Sequence, residues 1–480
     1  MTTLSHIIAN LWWINLLLIL FLIFMHNGSP KATAMWIMIL AFTSVFGFVL
    51  YLIFGQDFRK RKMFRLKEEQ DRVVSLVSYA QRDDFERGYF PYDGLLLRDY
   101  GELALLNLTG EEGFYTEKNE VETLFDGQEK FRRLMEDMLH AKKSIDIQYY
   151  IFKSDQIGKM ILAILEKKLR EGVRVRLLYD AIGGRHMHGS AVRSLRKHGG
   201  EVAVFFPSPF AWLNLRINFR NHRKIVVIDD EIGYIGGFNV GDEYLEPKRL
   251  GYWRDTHLRI HGNAVWALKT RFLKDWYYAS GDDSPEDPII TREIKSHGST
   301  GIQIISSGPD TQVEHIKLAF IRMIANAKES IRIQTPYFIP DESVRDALIT
   351  AMLSGVEVEI MIPCKPDHPF VYWASLWHLG ELIKYGAQGY LYNGGFLHAK
   401  TMVIDEDLAT VGSANMDIRS FALNFETNAV LYGEDCVREL RDQFSKDLKR
   451  SSHLTYALYQ KRPLRIKFKQ AFSRLLSPIL

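Results

Sequence analysis

Two stretches of the sequence carry the same chemically competent side chains at the same spacing. Asn221 to Asn239 reads NHRKIVVIDDEIGYIGGFN and Phe396 to Asn415 reads FLHAKTMVIDEDLATVGSAN; both fit H-x-K-x4-D-x6-G-[GS]-x-N. The first places His222, Lys224, Asp229, Gly236, Gly237 and Asn239, and the second His398, Lys400, Asp405, Gly412, Ser413 and Asn415. With ordinary residue usage, two chance matches to so long a pattern have a probability well below ~10⁻⁴. The pair reads as one site built twice. In each copy an apolar strand follows H-x-K, so the histidine and lysine, two apart, share one strand face. That face suits a phosphate, because lysine brings a mobile positive charge, asparagine an amide donor, and a Gly-Gly or Gly-Ser turn lets the backbone come close. Histidine can be a neutral nucleophile or a proton donor near pH 7, and two of them facing one phosphorus can divide those roles.

Carboxylates that orient the imidazoles should lie nearby, since an acceptor at Nδ1 fixes the tautomer. Asp255 in GYWRDTHLRI and Glu426 in LNFETNAVLY are the candidates, each following the histidine of its own copy in a strand-like segment. The expectation is therefore His222 with Gly237 and Asp255, and His398 with Ser413 and Glu426. Asp229 and Asp405 complete the catalytic candidates by motif, although at strand ends a salt bridge or a turn cap suits them better. The nearest metal-like spacing, His186-x-His188 in a Gly-rich loop, lacks further matching ligands. No metal and no other cofactor is expected.

The elements around the motifs repeat as well. A helical spacing over Gln128 to Ala141, a strand over Ser144 to Phe152, a helix over Lys159 to Arg170 and a strand over Val173 to Asp180 give a β-α-β order. The order returns as a helix over Val313 to Ala327, a strand over Ser330 to Phe338, a helix over Asp341 to Leu353 and a strand over Val356 to Pro363. The chain is thus α/β, with a whole unit duplicated. Its 480 residues exceed what one core usually supports. The expected halves are 116–295 and 296–480, preceded by an apolar segment over 1–55 and a basic, charged linker and lead-in over 56–115.

Within 1–55, Ile7 to Met25 and Ala34 to Phe54 are uncharged apolar runs, each about the length a helix needs to cross a bilayer. They predict a transmembrane helical hairpin; a signal peptide would need a basic lead and a better cleavage site than Asn-Gly-Ser-Pro. Arg59, Lys60, Arg61, Lys62, Arg65 and Lys67 follow the second run, whereas the loop between the runs has only Lys31. By the positive-inside rule everything after residue 55 faces the cytoplasm, and the basic run can also attract anionic headgroups. Sixty-one Lys+Arg nearly cancel 58 Asp+Glu, so overall charge gives no argument for nucleic acid. Two cysteines, Cys364 and Cys436, make neither a disulfide framework nor a zinc site.

Two aromatic stretches precede the histidines. Phe205, Phe206, Phe210, Trp212, Leu213, Leu215, Ile217 and Phe219, broken by Pro207 and Pro209 and flanked by Arg216 and Arg220, suggest a loop dipping into the lipid interface. Phe370, Tyr372, Trp373, Leu376 and Trp377 have helical spacing and suit core as well as lipid. The C-terminal PLRIKFKQAFSRLLSPIL puts Leu464, Phe468, Phe472, Leu475 and Leu476 on one helical face with Lys467, Lys469 and Arg474 elsewhere. It suits either a basic amphipathic helix on an anionic membrane or a helix docked on the protein.

At these residues the sequence resembles the phospholipase D superfamily, whose signature is the paired H-x-K-x4-D motif, and within it the bacterial cardiolipin synthases. The resemblance runs through DIQYYIF, HRKIVVIDDEIGYIGGFN, IQTPYFIPDE, FLHAKTMVIDEDLATVGSANMDIRSFALNFETN and the terminal LLSPIL. It implies two pseudo-symmetric phospholipase D-like domains with mixed β-sheets flanked by helices, and one active site at their interface. It also implies metal-independent phosphatidyl transfer between two phosphatidylglycerol molecules through a phosphohistidine, at a bacterial cytoplasmic membrane. By the same resemblance His222 is the nucleophile and His398 the acid-base, with Lys224, Lys400, Asn239 and Asn415 on the phosphate. Gly237, where many members have serine, departs from the pattern. Hydrolysis, transfer to another alcohol, and a membrane-tethered scaffold are the competing expectations, the last weakened because both motif copies are intact.

Overall fold

The structure is a computed structural model; it describes residues 2–25, 30–43, 46–48, 51, 75–87, 97, 99–111, 113–207, 219–247, 249–281, 294–296, 298–311 and 313–477. The chain divides into two compact units, one of Met1–Asp71 with Ser208–Phe219 and Pro309–Gln312, the other of Arg72–Pro207, Arg220–Gly308 and Val313–Leu480.

In the first unit, helices Thr2–Met25 and Pro30–Thr43 stand where the apolar runs predict the hairpin. Leu22, Trp36, Leu40 and Tyr51 form their buried seam. Among the described residues no helix is long and apolar enough to cross a membrane; side chains of the first helix are described only from Trp13 onward. The basic run Arg59 to Lys67 lies outside the described residues, as do Phe210, Trp212, Leu213, Leu215 and Ile217. The expected lipid-dipping loop therefore lies outside the described residues, and only the flanks of that aromatic stretch are described. Phe205, Phe206 and Phe219 are buried.

The second unit contains both motif copies. Its first half runs β1 (Tyr115–Leu124), β2 (Ser144–Tyr149), β3 (Arg174–Asp180), β4 (Glu201–Phe205), β5 (Arg220–Asn221), β6 (Ile225–Ile228), β7 (Ile232–Gly236), β8 (Trp253–Arg254) and β9 (His257–His261). Its second runs β10 (Thr300–Ser307), β11 (Ser330–Gln334), β12 (Phe338–Ile339), β13 (Glu357–Pro363), β14 (Gln388–Tyr392), β15 (Phe396–Leu397), β16 (Thr401–Ile404), β17 (Leu408–Gly412), β18 (Met416–Asp417), β19 (Asn424–Tyr432) and β20 (Ser451–Leu454). One mixed sheet joins them in the order β20-β14-β13-β11-β16-β17-β19-β10-β1-β9-β7-β6-β2-β3-β4. Outward from the antiparallel β1–β10 pair, the order β9-β7-β6-β2-β3-β4 on one side matches β19-β17-β16-β11-β13-β14 on the other. That is the duplication seen in three dimensions.

The helices form where the periodicity puts them. Gly127–His140 is capped by Asp126, whose carboxylate accepts from the amides of Gln128 and Glu129, and it buries Phe131, Leu134 and Met138. Asp155 caps Gln156–Arg170 and Asp341 caps Glu342–Leu353 in the same way. Strands β2 and β6 are buried along their whole length, as strands sandwiched by helices must be.

Candidate active site

Short strands bring the two histidines together. β5 pairs parallel with the start of β19, Arg220 opposite Asn424 and Asn221 opposite Phe425, and the His222 amide donates to the Phe425 carbonyl at 2.9 Å. One residue further along β19 is Glu426. β15 pairs parallel with β8, Phe396 opposite Trp253 and Leu397 opposite Arg254, and the His398 amide donates to the Arg254 carbonyl at 2.7 Å. One residue beyond β8 is Asp255. Each histidine is therefore held beside the carboxylate of the opposite half.

This corrects the pairing expected from sequence. His222 Nδ1 lies 3.0 Å from the Glu426 carboxylate and 3.2 Å from the Ser413 carbonyl, and His398 Nδ1 lies 2.5 Å from Asp255 Oδ2. A carboxylate and a carbonyl can only accept, so His222 Nδ1 carries the proton, which leaves Nε2 as the free lone pair. The Asp255 carboxylate imposes the same tautomer on His398. Both rings line one cavity of ≈970 Å³, together with Asn239 and Asn415.

The two orienting carboxylates are built differently. Glu426 accepts from Ser413 Oγ at 2.5 Å and from Asn424 Nδ2 at 3.0 Å. Asp255 is shorter, takes the Thr256 amide at 2.7 Å, and faces Gly237, where an added Cβ would meet Asp255 Oδ1 at 2.1 Å. The glycine is not merely a lost hydroxyl donor. It makes the room that Asp255 occupies.

Lys224 and Lys400 are buried, and each Nζ donates to the carbonyl of its own histidine at 2.5 Å. Burial is the main cause that lowers Lys224 to about 7 and Lys400 to about 8, against the opposing pull of Glu426 and Asp255. Burial, then the Lys400 charge, lowers His398 to about 4, with Asp255 partly offsetting both. His222 is lowered by burial too, its Glu426 partner opposing. Both imidazoles are therefore neutral at pH 7. Burial alone would raise the Glu426 carboxyl, but His222, Lys224 and the Ser413 hydrogen bond hold it below its ordinary value.

Asp229 and Asp405 do not line the cavity. Each sits in a left-handed turn at the end of its strand, with φ of 55° and 49°. Asp229 accepts from the amides of Lys142, Lys143 and Ser144, and Asp405 from those of Lys328, Glu329 and Ser330. This corrects their grouping with the catalytic candidates: both tie the turn after the motif strand to the start of the neighbouring strand. His186 lines the cavity, and its Nε2 accepts from Arg185 Nε at 3.1 Å.

Several site residues were not singled out from sequence. Tyr244 OH stands 3.3 Å from His398 Nδ1, and the Trp253 and Tyr150 rings pack on His398 and His222 at 5.2 and 4.9 Å. Arg223 is buried, pairs with Asp275 at 2.6 Å and donates to the Glu426 carbonyl at 3.1 Å. Arg254 reaches across to Asp447 at 2.9 Å. For Arg223, Trp253 and Arg254 the only sequence signal was closeness to His222 or Asp255, and Tyr150 and Tyr244 had none.

The C-terminal helix Leu464–Leu475 packs against helix Pro369–Ile383 in an inverted sense. Gln470 and Ser473 are 2% and 1% exposed, while Leu464 and Phe468 are 81% and 74% exposed. Lys469 lies over Trp373 and Arg474 over Trp377 at 5.1 and 4.7 Å, and Phe472 stands 6.2 Å from Phe370. His368 and Val371, at the N-terminal end of Pro369–Ile383, line the cavity.

Comparison with known proteins gives two matching family models. One, described as "Cardiolipin synthase, PLD-like domain", covers residues 134–265 and 320–448; the other, "Phospholipase_D-nuclease N-terminal", covers 13–56. The cardiolipin synthase of Oceanobacillus iheyensis is 47% identical over 468 residues, 97% of each chain. The major cardiolipin synthase ClsA of Bacillus subtilis is 46% identical over 482 residues, the full length of both. Among solved structures, phosphatidylserine synthase of Haemophilus influenzae aligns with a TM-score of 0.59 at 15% identity, over 75% of this chain and 95% of that one, a likeness of fold.

Proposed function

The chain belongs to the phospholipase D-like cardiolipin synthase family, and we propose that its crossed histidine pair joins two phosphatidylglycerol molecules into cardiolipin and glycerol. It is a phosphatidyltransferase. The observation that carries the mechanism is the placement of two imidazoles, each with Nδ1 tied to a carboxylate, in one cavity with Asn239 and Asn415, and with a buried lysine held on the carbonyl of each histidine behind the cavity wall. His222 Nε2 attacks the phosphorus of the first phosphatidylglycerol, and the bond to the glycerol oxygen breaks. His398 Nε2–H gives its proton to that oxygen, so glycerol leaves neutral. The phosphatidyl group is now on His222, its ring charge stabilised through Nδ1–H by Glu426. A hydroxyl of the second phosphatidylglycerol then loses its proton to His398 and attacks the same phosphorus. The P–N bond breaks, and both histidines return to their starting state.

His398 must hold a proton when the first step begins, although its burial favours the neutral form. The bound phosphodiester anion supplies the opposing charge, which in a dry site favours protonation. Lys224, Lys400, Asn239 and Asn415 stabilise the nonbridging oxygens as charge grows on them.

The same proposal sets the protein at a bacterial membrane, anchored through the N-terminal hairpin with the catalytic unit on the cytoplasmic side. The outward apolar residues Leu464, Phe468, Phe472 and Leu475, with basic neighbours, support a lipid-facing surface. Purified protein given phosphatidylglycerol in mixed micelles should yield cardiolipin and free glycerol. Phosphatidic acid with glycerol as the main products would make it a hydrolase instead.

A further inference from the structure

The duplicated histidines, lysines and asparagines address the phosphate, which every phospholipid shares, so selection of a headgroup must come from residues outside the repeat. The cavity wall departs from the repeat at three oxygen-bearing side chains. Tyr337, Asp367 and Asp417 follow Gln334, Pro363 and Asn415 by three, four and two residues. In the first half Ile151, Gly184 and Gly241 follow Gln148, Asp180 and Asn239 by the same intervals. The register fixes the match, Ser144 lying opposite Arg174 in one half and Ser330 opposite Glu357 in the other. Neither glycine leaves space for a carboxylate: an added Cβ would meet the Tyr179 ring at 2.2 Å from Gly184 and the Glu243 carboxylate at 2.6 Å from Gly241.

The three side chains stand together. Tyr337 donates its hydroxyl proton to Asp367 Oδ2, and two residues further on Ile339 pairs with Asp417 between β12 and β18. Burial, then Asp367 and Asp417, raises the Tyr337 hydroxyl well above its ordinary value. Asp367 also accepts from the His368 amide at 2.7 Å, and Asp417 from the Ser420 amide at 2.6 Å. Burial pushes the Asp417 carboxyl up to about 6, with Arg419 among the groups opposing, so at pH 7 it is an acceptor. Both carboxylates help to hold the charge of Lys400, whereas those that do so for Lys224 are Glu426 and Asp255. The group thus lies toward the motif of His398, the side on which the alcohol leaves and enters.

Unmet acceptors share this wall. Asn415 is 4% exposed, and its Oδ1 has no hydrogen-bond partner among the described residues. The same holds for Oδ1 of Asn424, 6% exposed, whose amide nitrogen is committed to Glu426. Phosphodiesters have Lys153, Arg185, Arg220, Arg249 and Arg419 on the cavity wall, and they offer an acceptor nothing. A hydroxylated headgroup offers it donors.

We propose that Tyr337, Asp367 and Asp417, with Asn415, form a hydroxyl-recognition subsite that takes hydrogen bonds from the glycerol headgroup of phosphatidylglycerol. The inference rests on the cardiolipin synthase reading and names what selects its substrate. On the donor the subsite holds the glycerol that leaves. On the acceptor it holds the secondary hydroxyl and leaves the terminal one to attack.

The test uses the purified full-length chain in mixed micelles, with unlabelled phosphatidylglycerol as common acceptor. Trace phosphatidylglycerol and phosphatidylpropanol, each labelled in the headgroup, compete as donors; propanol has the same three carbons without the extra hydroxyls. Wild type should favour phosphatidylglycerol by about 10²-fold or more in kcat/KM. D417A, D367A and Y337F should each lower that preference about tenfold, and D417N, which keeps an accepting oxygen, should retain part of it. Both rates come from one sample, so any loss of folded protein cancels in the ratio. An unchanged preference in all three variants, or none in the wild type, would overturn the subsite. So would a wild type faster on phosphatidylethanolamine, whose ammonium group also suits carboxylates. Headgroup selection with no cardiolipin among the products would leave the subsite standing and overturn the parent reading.

Discussion

The two halves of the site hold the same imidazole tautomer by different means. His222 is served by a long carboxylate, Glu426, steadied by the Ser413 hydroxyl and the Asn424 amide. His398 is served by a short one, Asp255, whose oxygen occupies the space a Gly237 side chain would need. Glutamate goes with serine and aspartate with glycine, so each pair is a single solution. Because each carboxylate comes from the opposite half, neither copy can orient its own histidine. Duplication followed by crossing makes the site obligatorily bipartite.

Removing the histidines breaks the comparison most severely. H222Q and H398Q should each lower cardiolipin formation by about 10⁴-fold or more, as happens when members of a catalytic unit are lost. They should part company on a donor with a p-nitrophenol leaving group, which needs no proton. H398Q should still release p-nitrophenol in a single turnover, and H222Q should not; the reverse result would exchange the two roles.

A swap at the glycine-serine position is the next largest effect. G237S forces a side chain against Asp255, and activity should fall about 10²-fold. S413G removes one hydrogen bond to Glu426 and should cost about tenfold or less. Equal effects would mean that the two carboxylates are not differently built. The ratio of kcat/KM values against wild type measures both.

The pH profile gives a smaller effect. In the free enzyme Lys224 and Lys400 lose their charge as pH rises through about 7 and about 8. The alkaline limb of kcat/KM should therefore begin between those values and be much weaker in kcat, since bound phosphate holds the lysines charged. Identical alkaline limbs in kcat and kcat/KM would contradict that account. The smallest effect on chemistry belongs to the motif aspartates. D229A and D405A leave three backbone amides each without their acceptor, so a stability loss of about 1–3 kcal/mol is expected, seen as a lower unfolding midpoint with near-normal kcat in the folded enzyme.

Much of this arrangement was legible in the sequence. The two β-α-β units follow from periodicity, and Asp255 and Glu426 from their strand-like segments; the H-x-K residues, read as one strand face, instead stand in the turns just before β6 and β16. The crossing does not follow from spacing. It depends on two-residue strands, β5 on β19 and β8 on β15, too short to leave a period. Asp229 and Asp405 were grouped with the catalytic candidates by motif alone, while their strand-end positions already suited the turn cap they form, φ of 55° at Asp229 included. The C-terminal helix showed its amphipathic pattern plainly, but which face meets the protein is decided by Trp373, Trp377 and Gln470, a matter of packing.

The central claim is the crossed pairing, and histidine side-chain ¹⁵N resonances test it most directly. With imidazole nitrogens labelled and the His222 and His398 signals assigned by their loss in H222Q and H398Q, the D255N variant should shift the Nδ1 signal of His398 and leave that of His222 in place. A D255N shift confined to His222 would contradict the account.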